Sequence, residues 1–207
     1  MSEALRFRRG LAKIHIAEIV TDTAEKFETG EIKRILAAAE MTTTVEQDKT
    51  VIWLDNKPVV TIGREGNSEI TLNGSALFDA VQAELFGKEI DPETGAIMDS
   101  GDFVEKYFAF GAEIGNHQSK PTLVWFLKTS FSIPDEGSKT EDESTDWNGS
   151  ELTLSAQKTI HEFAKTGKSC KRILLDPSTS ELAEDADWFA QVVTPDNAST
   201  VMKKKAN

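Results

Sequence analysis

Two neighbouring stretches in the middle of the chain alternate apolar with other residues over an unusual length. Tyr107–Ile114 carries Phe108, Phe110, Ala112 and Ile114 at every second position, and Leu123–Ile133 carries Leu123, Trp125, Leu127, Phe131 and Ile133 in one phase. A period of two puts such side chains on one face of a strand, which a helix of 3.6 residues per turn cannot do. The polar segment Gly115–Pro121 lies between them, so the pair predicts a β-hairpin with a longish loop. The second strand would run about 35 Å at roughly 3.3 Å per residue, beyond the usual strand length.

Further strand signals surround this hairpin. Leu11–Val20 sets Ile14, Ile16 and Val20 against Lys13, His15 and Ala17. Val51–Leu54 and Val59–Ile62 flank the turn-forming cluster Asp55-Asn56-Lys57-Pro58, and Gly63-Arg64-Glu65-Gly66 reads as another turn. Glu69–Leu72, Glu151–Ala156, Arg172–Leu175 and Trp188–Val193 complete the set. One helix is well marked: Ser75 can cap it, Leu77, Val81 and Leu85 form a stripe joined by Phe78, and Gly87 follows at the stop. A second, short helix is expected over Ser180–Asp187. Glu31–Met41 is ambiguous, because its alanines favour helix while Thr42–Val45 continue it as strand. No internal repeat is present. The sum is a mainly β chain, a sandwich or barrel with an accessory helix.

A length of 207 residues fits a single domain, and 39% hydrophobic residues, including 11 Phe and 4 Trp, can build its core. Lys and Arg number 23 against 35 Asp and Glu, a net charge of −12, the wrong sign for a surface that grips nucleic-acid phosphates. The single Cys170 excludes an intramolecular disulfide and a cysteine-based zinc cluster. No apolar run reaches the roughly 18 residues of a membrane-spanning helix. The N-terminal segment is charged where a signal peptide needs an apolar stretch, so a cytosol-like compartment, or exit by another route, is expected.

The charge is unevenly spread. Arg6, Arg8 and Arg9 form a basic arm (1–10), Lys203, Lys204 and Lys205 a basic tail (196–207), and 134–149 is a long acidic loop with Asp135, Glu136, Glu141, Asp142, Glu143 and Asp146. A loop of this length is usually functional or disordered. Trp147 within it forgoes roughly 2 kcal/mol of burial if left in water. Either it folds back on its own domain or it anchors a partner surface, where Trp is often a hot spot.

Catalytic and metal-binding patterns fail one after another. His15, His117 and His161 are not spaced as helix-borne zinc ligands, and His161-Glu162 lacks the second His of a metalloprotease. Cys170 sits between Lys168 and Lys171, which can favour a thiolate, but has no companion motif. There is no Gly-x-Ser-x-Gly elbow and no glycine-rich phosphate loop. Asp91-Pro92-Glu93-Thr94-Gly95 reads as a turn; an EF-hand started at Asp91 would have Ala96 where Gly belongs and Asp102 where Glu belongs. Neither an enzyme, nor a metal, nor a cofactor is expected.

The order of segments carries a resemblance. The matching stretches are Ala17–Thr23 leading to Glu28-Thr29-Gly30, the helix Ser75–Gly87, Tyr107–Gly111, Thr122–Lys128, Lys139–Asp142 and Asp187–Pro195. This series is similar to that of the major tail proteins, or tail tube proteins, of phages with long non-contractile tails. It spans roughly residues 11–195, and order and spacing carry it rather than any one motif. The Ala-rich Glu31–Glu40 departs from the family, where an extended, Pro-containing stretch is the pattern.

The resemblance implies a two-sheet β-sandwich or half-barrel with one flanking α-helix. Such subunits join their inner sheets into a continuous barrel, six to a ring, and rings stack into a hollow tube that delivers phage DNA. Its partners would be copies of itself, a tape measure protein, a tail terminator and distal tail or initiator proteins, and its location the virion after assembly in the host cytoplasm. An acidic lumen would let DNA slide without sticking; alternatively, the net charge only keeps the free subunit soluble. The basic ends can meet the acidic loop of a neighbouring ring, a heterologous contact that propagates. From a different class, a β-sandwich binding module for carbohydrate or receptor remains open, with Trp147 its one loop tryptophan.

Overall fold

A computed structural model describes residues 8–35, 38–75, 79–101, 104–116, 119–134, 150–176 and 187–202. The chain is mainly β. Strand β1 (Arg8–Asp22) turns through Thr23–Lys26 into antiparallel β2 (Phe27–Arg34). The longest elements, β3 (Ala38–Leu54) and β4 (Lys57–Gly74), form one hairpin. Helix α1 (Asp79–Phe86) and a small hairpin of β5 (Glu89–Ile90) and β6 (Ile97–Met98) follow. Strands β7 (Phe108–Asn116) and β8 (Ser119–Phe131) are the central hairpin, and β9 (Ser150–Ala156), β10 (Arg172–Leu175) and the short α2 (Ala198–Val201) complete the order.

Eight strands share one antiparallel sheet, seven in the order β2-β1-β7-β8-β9-β4-β3 and β10 added beside β8. Strand β8 offers its second edge to two partners in turn, β10 at Leu123–Phe126 and β9 at Thr129–Phe131. The expected two sheets are therefore one connected sheet, long enough to curl. The β1/β2 ladder runs on one rung to Ile35, whose N–H donates to the Ile14 carbonyl, and the curl brings β1 up against β3. The curl leaves a groove of about 420 Å³ beside Leu11, Met41, Ile114, Phe126 and Leu174.

Both faces of the sheet centre are covered. Inside the curl, Ile14, Ile16, Phe108, Phe110, Val124, Phe126, Ile70, Leu72, Leu152 and Leu154 pack with Leu85 and Phe86 of α1. On the outer face, Leu123, Trp125 and Leu127 pack beneath Phe163, Trp188, Phe189, Val192 and Val193. The segment after β9 thus serves as a lid of turns over the sheet. Gly111 lies opposite Trp125, and a Cβ there would sit 2.8 Å from the indole ring, so only glycine lets the ring lie flat on the strand.

Several expectations need correction. Phe131 lies in the inner cluster while Leu123, Trp125 and Leu127 lie in the outer one, and Ile133 is exposed beyond the strand end. The ladder slips by one residue between Phe108/Thr129 and Phe110/Phe126, which shifts the alternation of β8 against its neighbour. The central connection is shorter than expected, because Asn116 already pairs with Ser119. Gly63–Gly66 runs inside β4 rather than turning. Trp188–Val193 is irregular: Asp187 accepts from the Phe189 N–H, and the aromatic pair closes the outer core without a ladder. Glu31–Met41 belongs to the end of β2 and the start of β3 on either side of 36–37. The marked helix is observed as α1, ending at Gly87 with φ +68°, while Leu77, Phe78 and most of the expected Ser180–Asp187 helix lie outside the described residues.

Candidate functional site

The β3/β4 hairpin divides into two parts. Near its base, Ser68, Ile70 and Leu72 alternate into the core and β4 is paired on its other side by β9. Beyond Ser68 that second partner ends, and every residue from Glu46 to Asn67 is exposed. From Gln47 to Leu54 this two-stranded arm extends about 26 Å at roughly 3.3 Å per residue.

The arm is apolar on both faces near its tip. Cross-strand partners share a face, so Thr50 with Ile62, Ile52 with Val60, and Leu54 with Lys57 make one side. Val51 with Thr61 and Trp53 with Pro58 make the other. Trp53 is 61% exposed, Leu54 59% and Val59 55%, with Val51, Ile52, Val60 and Ile62 also exposed. Asp55 and Asn56 close the tip with φ of 49° and 59°, two successive left-handed residues as in the two-residue turns that match strand twist. The turn is thus tighter than the four-residue cluster, and Lys57 and Pro58 already belong to β4.

A bulge marks where the arm leaves the body. Val45 pairs with Ser68 and Gln47 with Glu65, so Glu46 faces both Gly66 and Asn67. Such an insertion bends the bulged strand and raises its twist. Lys171, buried just ahead of β10, reaches this point: its Nζ donates to the Glu65 carboxylate and, at 3.1 Å, to the Gly66 carbonyl. The ammonium and its hydrogen bond hold the Glu65 carboxyl below the usual range.

Two strand edges accompany the arm. β2 and β3 end the sheet and have no second strand neighbour among the described residues. Open edges are templates for pairing with another chain.

A second polar feature ties the lid to the sheet. Lys128 Nζ donates to Asp22 Oδ2 at 2.7 Å and stands 4.7 Å from the centre of the Tyr107 ring. Asp22 also accepts the backbone N–H groups of Ile160 and His161. Burial raises the Asp22 carboxyl, but the Lys128 and backbone hydrogen bonds outweigh it and the net shift is downward. All three donor groups, the Lys128 ammonium and the Ile160 and His161 N–H groups, belong to the fold itself, and the cluster acts as a latch.

The residues singled out for catalysis or metal binding are not assembled into a site. His15 stacks on Phe189 at 4.6 Å and His161 packs edge-on against Phe163, while His117 lies outside the described residues. Burial pushes the Cys170 thiol up, the opposite of activation, and its Sγ faces the Arg172 carbonyl. Asp91 accepts from the Glu93 N–H and the Thr94 hydroxyl, the expected turn. Among the described residues no three His, Cys, Asp or Glu side chains gather as metal ligands, and no helix is long and apolar enough to cross a membrane.

Of the expected inter-ring residues, Arg6, Asp135, Glu136, Glu141, Asp142, Glu143, Asp146, Trp147, Lys203, Lys204 and Lys205 lie outside the described residues. Arg8 and Arg9 are described by backbone alone, at the start of β1. The arm itself was legible but unread. Val51-Ile52-Trp53-Leu54 and Val59-Val60 are apolar at consecutive positions, which puts apolar groups on both faces of a strand. Polar Glu46–Thr50 and Gly63–Asn67 at their base exclude a buried central strand, leaving an exposed double-sided tip.

No protein-family model matches the chain, and no curated protein matches it in sequence.

Proposed function

We propose that the chain is a structural subunit that assembles with copies of itself, as a tail tube protein does: rings, six to a ring, stacked into a hollow tube through which phage DNA passes. The observation that carries this reading is the arm of residues 46–67. Its exposed Val, Ile, Leu and Trp side chains offer on the order of 500 Å² of apolar surface, worth roughly 12 kcal/mol gross if covered at about 25 cal/mol per Å². That surface is divided between the two faces of the arm, so a partner would have to embrace the ribbon, and apolar patches of a few hundred Å² are often functional interaction sites. The open edges of β2 and β3 support the same reading, since a ring of copies can pair one edge with the other. In the tube, tape measure, terminator and initiator proteins would meet the assembled rings, and the basic ends would meet the acidic loop 134–149 of the next ring.

The test is negative-stain microscopy with sedimentation across a concentration series. Rings or tubes are expected from the natural sequence, and few from Ile52→Lys with Trp53→Ser, whose body keeps its melting temperature. Deleting 136–146 should likewise leave a folded subunit with little tube. A wild-type chain that stays monomeric at every concentration would refute the proposal.

A further inference from the structure

An assembly arm is useful only if it points in one direction. A two-stranded ribbon that has lost its third strand is held at its root only by its own bulged ladder and by what the body places against that bulge. With a lever of about 26 Å, a swing of about 20° moves the tip by about 9 Å, further than the spacing between adjacent strands. Something at the bulge must hold the angle if the tip is to meet a fixed surface.

Three observations converge on Lys171. The register break places Gly66 and Asn67 opposite Glu46. A Cβ on Gly66 would stand 3.1 Å from that of Glu46, so the bulge is closely packed and specific in shape. Lys171 is anchored from behind, where its carbonyl accepts the Leu127 N–H of β8. Its side chain is 8% exposed, whereas Glu65 at the arm's root is 58% exposed. A long, flexible side chain is costly to immobilise, and its burial here brings its charge to two acceptors on the arm and none of the core's own groups.

We propose that Lys171 is a positioning residue: a clamp from the body of the sheet that grips the bulge at Glu65 and Gly66 and fixes the direction of the β3/β4 arm. The clamp's purpose rests on the self-assembly reading, but its existence does not. The lid segment carries Lys171, so the arm's angle depends on the lid being seated on β8 through β10. Arm and lid are thereby coupled across 106 positions of sequence by one ammonium group.

The test measures the arm's angular spread in dilute, monomeric full-length protein. Spin labels are placed at Asp55→Cys, on the tip, and Glu162→Cys, on the lid, in a Cys170→Ser background, and the distance distribution is read by pulsed electron resonance. With Lys171 present the distribution is narrow. Lys171→Met, which keeps the apolar stem, and Glu65→Ala, which removes the side-chain acceptor, each broaden it toward the roughly 9 Å scale of the swing, and Lys171→Arg restores the narrow form. An unchanged width in Lys171→Met and Glu65→Ala would overturn the clamp. Should Lys171→Met fail to fold, Glu65→Ala decides alone, since that side chain lies on the surface. Microscopy of the same variants separates the two claims: a broadened arm in a chain whose wild type never forms rings keeps the clamp and removes its proposed purpose.

Discussion

Replacing Asp22 with Ala strands a buried cation. The Asp22 side chain is 5% exposed and that of Lys128 9%, so neither is screened by bulk water. Removing one partner of such a pair costs about 3–5 kcal/mol, mostly because the remaining charge stays buried without compensation. Two backbone N–H groups, of Ile160 and His161, lose their acceptor at the same time. The Tyr107 ring faces the ammonium before and after the substitution, so it does not change the difference. A loss of about 3 kcal/mol is expected, which for a chain of this size lowers the melting temperature by roughly 6–12 °C. Urea and thermal unfolding measure it directly. The double variant Asp22→Ala with Lys128→Met removes the stranded charge and should recover at least half of the loss. A loss below about 1 kcal/mol, or a double variant no more stable than the single one, would refute the account of a buried, mutually dependent pair.

The same carboxylate sets an acid limit. Its value is depressed in the folded state, so its stabilisation is fully present above the unfolded value near 3.9 and disappears as pH falls through the folded one; Asp22→Asn should flatten that part of the stability curve. Gly111→Ala forces a methyl group into the Trp125 ring and should cost about 1–3 kcal/mol in urea unfolding, with the Trp fluorescence of the native state altered. Cys170 should react with a thiol reagent more slowly than a free thiol at pH 8, because burial raises its pKa; a rate equal to the free thiol would contradict its packing against the outer core.

The strands that the sequence made plain are those whose burial is one-sided or fully sealed within the body. β7 reads correctly because Phe108, Phe110 and Ala112 all enter one cluster, and β9 because Leu152, Leu154 and Ala156 do the same. β8 misleads at its end because its ladder slips beside Phe108 and its partner changes from β10 to β9, events decided by distant strands. The lid misleads for another reason. Trp188 and Phe189 look like a strand because they are apolar, yet they bury by plugging Trp125 and Phe163 from above, which requires no ladder. The arm is the subtler case: consecutive Ile52 and Trp53 must point to opposite sides of a strand, and their exposure follows only once the polar base of the hairpin is weighed against the habit of burying apolar residues.

The division between body and arm bears on why the arm exists. Every large side chain of the inner and outer cores comes from outside residues 46–67, so folding of the body draws no hydrophobic burial from the arm. A solvent-exposed strand pair of this length is an aggregation hazard if left without a use. The chain limits that hazard locally: charged Asp48, Lys49, Arg64 and Glu65 flank the apolar tip, and Pro58 removes one N–H from the edge. These devices lower non-specific pairing without covering Ile52, Trp53 or Val60. Polar replacements at those positions would leave the core untouched, so the fold gives no reason to keep them apolar. Under the proposed self-assembly, the physical reason is a surface on a second copy that they fit, and one clamped ammonium at the arm's root would aim them at it.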